Sequence, residues 1–176
     1  METAVTRARD VPAVREGALA AFVAEHYSRL VRLAGLVCLD RTDAQDAVQN
    51  ALVRAWRHRG TLRDETRTKP WLDAIVVRES IRLNRAPASI VRSLMRPLRR
   101  ADALPAPSPP TIGLVEELRR LPPPQRAVLA LHYEGGYSVA ETAELLDAPV
   151  ETIRSRLRLA RRRLRRELPD DVEGRP

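Results

Sequence analysis

The stretch from Leu121 to Leu168 constrains this 176-residue chain most, because it reads only as helices separated by two tight breaks. Pro122, Pro123 and Pro124 suit an opening turn, where backbone N–H groups have no partner within a helix anyway. Ala127, Val128, Leu131 and His132 then recur on one face, and Gly135-Gly136 predicts the stop. Ser138 with Glu141 three residues on predicts a capping box. The short helix it opens carries Val139, Ala143 and Leu146 on one face, and Asp147-Ala148-Pro149 predicts a turn. The last helix has Val150, Ile153, Leu157, Ala160, Leu164 and Leu168 at steps of three and four.

Two short helices joined by a three-residue turn, the second with a basic outer face, describe a helix-turn-helix. Eight arginines lie between Val150 and Leu168, against only Glu151 and Glu167. A basic helix face alone is common on solvated helices. The capped helix, the turn and the basic helix together point to DNA. Thr152, Arg154, Ser155, Arg156 and Arg158 fall in the first turns, where such a helix meets base edges. Arg162 lies further along, where it would meet phosphates.

Charge agrees with a polyanionic partner: the formal net charge is +8. A lone cysteine, Cys38, excludes an internal disulfide and sits in an apolar run that predicts a buried, inert thiol. His26, His58 and His132 show no metal-ligand spacing, so neither a metal nor a cofactor is expected. No long apolar segment and no N-terminal signal pattern occur, which predicts a soluble, cytoplasmic protein without stable membrane insertion. Alternating β-branched runs are nearly absent, so the expected fold class is all-α.

Taken in order, residues Met1 to Val14 read as a loose leader. A helix from Glu16 carries Leu19, Phe22, Val23, Tyr27, Leu30, Val31, Ala34 and Val37 inward. After the break Leu39-Asp40-Arg41, Thr42 with Gln45 predicts a capping box for a second helix. Its inner stripe is Ala47, Val48, Ala51, Leu52, Ala55 and Trp56, and Gly60 stops it. Thr61 to Lys69 is polar and unperiodic, a loop, and Pro70 fits the first position of a third helix that runs to Pro87. Trp56 and Trp71 are expected as core anchors. Six prolines between Ala86 and Gly113, with the run PAPSPP, predict an extended linker. Within it Ser89 to Arg100 is expected to form at most a transient basic helix. Thr111 caps a further helix with Ile112, Val115, Leu118 and Leu121 inward, and Pro169 to Pro176 reads as a disordered tail. The expected organisation is two small helical domains, 16–86 and 111–168, joined by linker 87–110 and folding separately.

DAQDAVQNALVRAWRH, Asp43 to His58, and the stretch LPPPQRAVLALHYEGGYSVAETAELL with VETIRSRLRLARRRL carry a resemblance. In this order, across a proline-rich linker, they resemble bacterial RNA polymerase sigma factors of the extracytoplasmic-function class. The resemblance covers roughly Ala18 to Leu168. It implies promoter recognition without catalysis, with core RNA polymerase and promoter DNA as partners, and an anti-sigma factor as a further one. The N-terminal block resembles region two, which docks on core polymerase and captures the melted minus-10 element. The C-terminal block resembles region four, which reads the minus-35 element as duplex.

On these residues the polymerase contact falls to Asp46, Gln49, Asn50 and Arg54, polar positions on an otherwise core-building helix. Minus-10 contacts fall to Arg63, Arg67, Lys69, Arg78 and Arg82, and minus-35 contacts to Thr152, Arg154, Ser155, Arg156, Arg158 and Arg162. Three departures stand out: Thr61 to Lys69 has no aromatic residue, Glu79 stands where relatives often have Asn, and Pro149 where they often have Ser. Without an aromatic in that loop, strand capture there rests on polar and cationic contacts. The alternative is a stand-alone helix-turn-helix regulator. An enzyme finds no support, because no phosphate-cradling glycine loop, metal cluster or nucleophile-base pattern is present.

Overall fold

The structure, a computed structural model, describes residues 16–85 and 115–165. The leader, the linker, the Thr111 cap, the tail and Arg166 to Leu168 lie outside the described residues. Within them the elements are α1 (Glu16–Cys38), α2 (Arg41–His58), α3 (Thr68–Arg85), α4 (Pro123–Leu129), α5 (Val139–Leu146) and α6 (Val150–Arg165). Residues 115–119 are also helical. Every regular element among the described residues is helical, as the composition predicts.

The N-terminal half is a three-helix bundle. Its core is Leu30, Ala34, Cys38, Ala44, Ala47, Val48, Ala51, Ala55, Leu72 and Val76. Four buried alanines, Ala44, Ala47, Ala51 and Ala55, let α2 approach its neighbours closely. Burial of the Cys38 thiol pushes its pKa up to about 11, as fits an inert thiol. The C-terminal half packs Leu118, Leu121, Val128, Leu129 and Ala143 against Ile153, Leu157 and Ala160 of α6.

Helix ends correct the sequence reading in two places. The α2 cap is not Thr42 with Gln45: Leu39 turns left-handed (φ 59°), Asp40 is extended, and its carboxylate accepts from the Asp43 N–H at 2.9 Å. α3 starts at Thr68, so Pro70 sits inside the first turn rather than at its first position, where its missing N–H still costs nothing. The Ser138–Glu141 capping box is present in both directions. Gly135-Gly136 ends α4 through a wider turn, Ala130–Glu134, closed by Gly135 N–H on Ala130 O at 3.0 Å. Of the two glycines only Gly136 has positive φ (76°). Gly135 is needed for space, since a Cβ there would lie 2.5 Å from Leu131 O and 2.7 Å from the Tyr137 ring.

The two halves touch. Leu33, Val37 and Val77 from the first form one buried cluster with Ala127, Ala130, Leu131 and Tyr137 from the second. α1 therefore carries two apolar stripes, and Leu33 belongs to the one that faces the C-terminal half.

Candidate nucleic-acid interface

The basic face of α6 is a product of how its other face is held. Asp147 takes the left-handed conformation (φ 51°) at the end of α5, and Pro149 O accepts from Thr152 and Ile153 N–H as α6 begins. Ile153, Leu157 and Ala160 are buried, which turns Arg154, Arg158, Arg161 and Arg162 to solvent. Arg154 pairs with Glu151, whereas Arg158 and Arg162 make no ion pair among the described residues. Thr152, Ser155 and Arg156 are half-buried along the flank. Arg154, Arg158, Arg161, Arg162 and Arg165 line a shallow open groove with Val139 and Leu157.

One arginine is fixed by neighbours that the sequence did not reveal. Arg161 Nε donates to the Tyr133 hydroxyl at 2.8 Å, with its guanidinium 5.5 Å over that ring. Its Nη2 lies 3.2 Å from His132 Nε2, while His132 Nδ1 lies 2.8 Å from Tyr137 O. That geometry suits a neutral imidazole donating from Nδ1 and accepting at Nε2.

The five cations assigned to the melted strand do not share one environment. Arg63, Arg67 and Arg78 are exposed. The loop of Arg63 and Arg67 is more ordered than its polarity suggests: Leu62 is buried, Asp64 accepts from Thr66 N–H and Oγ1–H, and Thr68 Oγ1 donates to Glu65 O. Arg82 donates to Glu79 Oε2 at 2.7 Å, and Arg54 pairs with Oε1 of the same carboxylate. Glu79 is only 1% exposed. Burial alone raises its pKa, but the hydrogen bonds from Arg54 and Arg82 outweigh that and hold it below the ordinary range. The departure at Glu79 thus has a structural role, tying α2 to α3 while two guanidiniums stay at the surface.

Lys69 is engaged between the halves. Its Nζ donates to Gly135 O at 2.9 Å and to the Tyr137 hydroxyl at 3.0 Å, and lies 4.2 Å from that ring centroid. The Tyr137 hydroxyl in turn donates to Asp73 Oδ2 at 2.8 Å. Arg29 grips both oxygens of fully buried Asp73, at 2.9 and 2.7 Å. Burial and the adjoining Asp73 carboxylate push the Tyr137 phenol far above its ordinary pKa. Nearby, buried Arg126 reaches from α4 to Val37 O (2.7 Å), Leu121 O (2.6 Å) and Asn84 Oδ1 (3.0 Å). Desolvation lowers its pKa, since none of these acceptors is charged. Arg32 and Glu134 add an exposed ion pair at 3.2 Å.

On the outer face of α2, Gln49, Asn50 and Arg54 are exposed and Asp46 is half-buried. The same face also shows Val53 and Trp56, and Trp56 is 44% exposed. This corrects the expectation of a core anchor, because Ala51 and Ala55 take the inward positions beside it. Trp71 does pack inward, against Leu19, Leu62 and the main core. Among the described residues no cluster of metal-ligating side chains occurs, and no helix is long and apolar enough to cross a membrane.

The chain matches the family descriptions Sigma-70 region 2 over residues 22–88 and Sigma-70, region 4 over residues 113–164. It is 38% identical over 144 residues to the ECF RNA polymerase sigma factor SigM of Mycobacterium tuberculosis, covering 81% of this chain and 73% of that one. It is 28% identical over 173 residues to SigL of the same organism, covering 94% and 97%. Among solved structures, the sigma factor RpoE of Bartonella quintana, in complex with the anti-sigma factor NepR, aligns with TM-score 0.63 at 23% identity, over 86% of this chain and 98% of that one. CnrH in complex with the cytosolic domain of CnrY aligns with TM-score 0.60 at 23% identity, over 85% and 86%. At that identity these two show the fold alone. Two sigma-70 regions in order, on an all-helical frame with a basic helix-turn-helix, make this chain a member of the ECF class of RNA polymerase sigma factors.

Proposed function

We propose the following division of labour for promoter-specific initiation by this sigma factor. The exposed face of α2, with Asp46, Gln49, Asn50 and Arg54, docks on core RNA polymerase. Arg63, Arg67, Arg78 and Arg82 track the melted minus-10 strand. Lys69 joins them only when its bonds to Gly135 and Tyr137 are released. The helix α6 enters the major groove of the minus-35 duplex, with Arg154 and Arg158 toward base edges and Thr152, Ser155 and Arg156 along the flank. Arg162 meets phosphate. The protein works in the cytoplasm, catalyses no reaction of its own and is held in check by an anti-sigma factor. Residues 16–86 and 111–168 act as the two modules, and 87–110 spans the promoter between them.

The observation that carries this reading is the outward display of Arg154, Arg158 and Arg162 while Ile153, Leu157 and Ala160 lock the opposite face. A stand-alone regulator leaves the polar face of α2 without a purpose. The test is Asp46→Arg combined with Gln49→Ala in the full chain. Core polymerase binding is lost while affinity for a minus-35 duplex is kept. Undiminished core affinity in the folded double variant overturns the assignment of α2.

A further inference from the structure

Trp56 is a large apolar side chain at the surface that takes no part in the apolar clusters of the described residues. Its ring is fixed by its own neighbour: the Arg59 guanidinium lies 4.7 Å over the centroid, and Arg59 Nη1 donates to Trp56 O at 2.8 Å. The chain then passes directly into the loop that carries Arg63 and Arg67. That passage is rigid, with Thr61 Oγ1 donating to His58 O at 2.8 Å, Leu62 N–H to Arg59 O at 3.1 Å, and the Leu62 side chain buried.

We propose that Trp56, held by Arg59, is a stacking platform for an unpaired base of the DNA strand that runs over the loop 61–69. The proposal rests on the region-two reading above and supplies what that loop lacks in its own sequence, an aromatic face. Binding of single strands combines a basic groove with aromatic rings on which bases stack, and a guanidinium against an aromatic ring adds cation–π attraction to the same platform. The stretch of chain that follows Trp56 has the charge a phosphate chain needs: Arg57, Arg59, Arg63 and Arg67 against Asp64 and Glu65, with the Asp64 carboxylate turned onto Thr66. Val53 lies one turn back on the same face, beside the positions assigned to polymerase docking. A protein partner on Trp56 is therefore the competing occupant. The arginines on the loop side favour the strand.

The experiment uses holoenzyme, the full chain on core polymerase, with core alone as background. The probe is an oligothymidylate of about 12 nucleotides carrying fluorescein, and a second copy carrying one 2-aminopurine. Trp56→Leu weakens probe binding about 5- to 100-fold, the worth of one stacked base, and removes the quenching of 2-aminopurine by the indole. Trp56→Tyr keeps most of the affinity, which also guards against a folding defect in the leucine variant. Core affinity, measured on the same proteins, falls by less than probe binding does. Probe binding and quenching indifferent to both substitutions overturn the platform while leaving the cationic loop intact. Lost core affinity with unchanged probe binding assigns Trp56 to polymerase and likewise overturns it. A wild-type holoenzyme that adds nothing to the probe affinity of core, on mixed-sequence strands too, fails the region-two reading itself and the platform with it.

Discussion

Arg29 and Arg126 lie at the contact between the halves, and Arg158 and Arg162 lie on the outer face of α6. Arg29 closes on both oxygens of a buried carboxylate, and Arg126 is spent on two backbone carbonyls and an amide oxygen. Arg158 and Arg162 reach solvent from a helix whose inner face is locked and make no ion pair among the described residues. One residue type thus does two jobs. A buried arginine with fixed acceptors holds two parts of a fold together. A row of exposed ones keeps its charge available to a polyanion, at the cost of mutual repulsion. Lys69 belongs to both groups, as a proposed strand contact now bonded across the contact.

The largest effect is expected where that contrast is broken at its buried end. Asp73→Ala strips Arg29 and the Tyr137 hydroxyl of their shared acceptor, and losing one partner of a buried ion pair costs about 3–5 kcal/mol. Urea unfolding of the full chain measures it. A loss below about 1 kcal/mol, as for surface pairs, places Asp73 with the exposed group instead. On α6 the effect is smaller and of another kind. Arg154→Ala relaxes base preference at one or two minus-35 positions by about 1–3 kcal/mol. Arg162→Ala weakens every sequence alike and lowers the salt slope by about 1. Competition binding on duplexes with single base changes separates the two, and an interchange of these outcomes means α6 docks in another orientation.

Tyr137→Phe sharpens the comparison by touching only bonds between the halves, at about 0.5–1.5 kcal/mol for each hydrogen bond removed. Small-angle scattering of the free chain should show a larger mean radius. The smallest expected effect concerns acid. The folded-state pKa of Glu79 is lowered, so its pair with Arg54 and Arg82 stabilises above the ordinary value of 4.5 and fades as pH falls through the lowered one. The gap in unfolding midpoint between wild type and Glu79→Gln should shrink below about pH 4.5. A gap that stays constant to pH 2.5 means the arginines do not depend on that charge.

Much of this was legible in the residues. The helical class follows from spacing, the Ser138 cap from its partner Glu141, and the basic face of α6 from three apolar positions in register. The family resemblance followed from two motifs in order. What stayed hidden was set by neighbours distant in sequence. Leu33 reads as one more apolar residue of α1, and only the position of α4 shows that it faces the other half. Tyr137 reads as a turn residue and is a buried link from Lys69 to Asp73. Trp56 follows the inward pattern yet lies outside, because α2 uses alanines to come close to its neighbours and leaves no depth for an indole. Asp40 displaced the Thr42 cap because Leu39 took a left-handed turn that spacing cannot signal.

The cluster of Leu33, Val37, Val77, Ala127, Ala130, Leu131 and Tyr137 has a thermal consequence. Parting the halves wets these side chains, and hydration of apolar surface raises heat capacity. The free energy holding the halves together then follows a curve with a maximum instead of a straight line in temperature. Cooling weakens the apolar attraction, heating favours the disorder of separation, and the contact is firmest in between. If the two proposed modules part to reach two promoter elements, that curve makes the readiness to open a property of temperature as well as of partners.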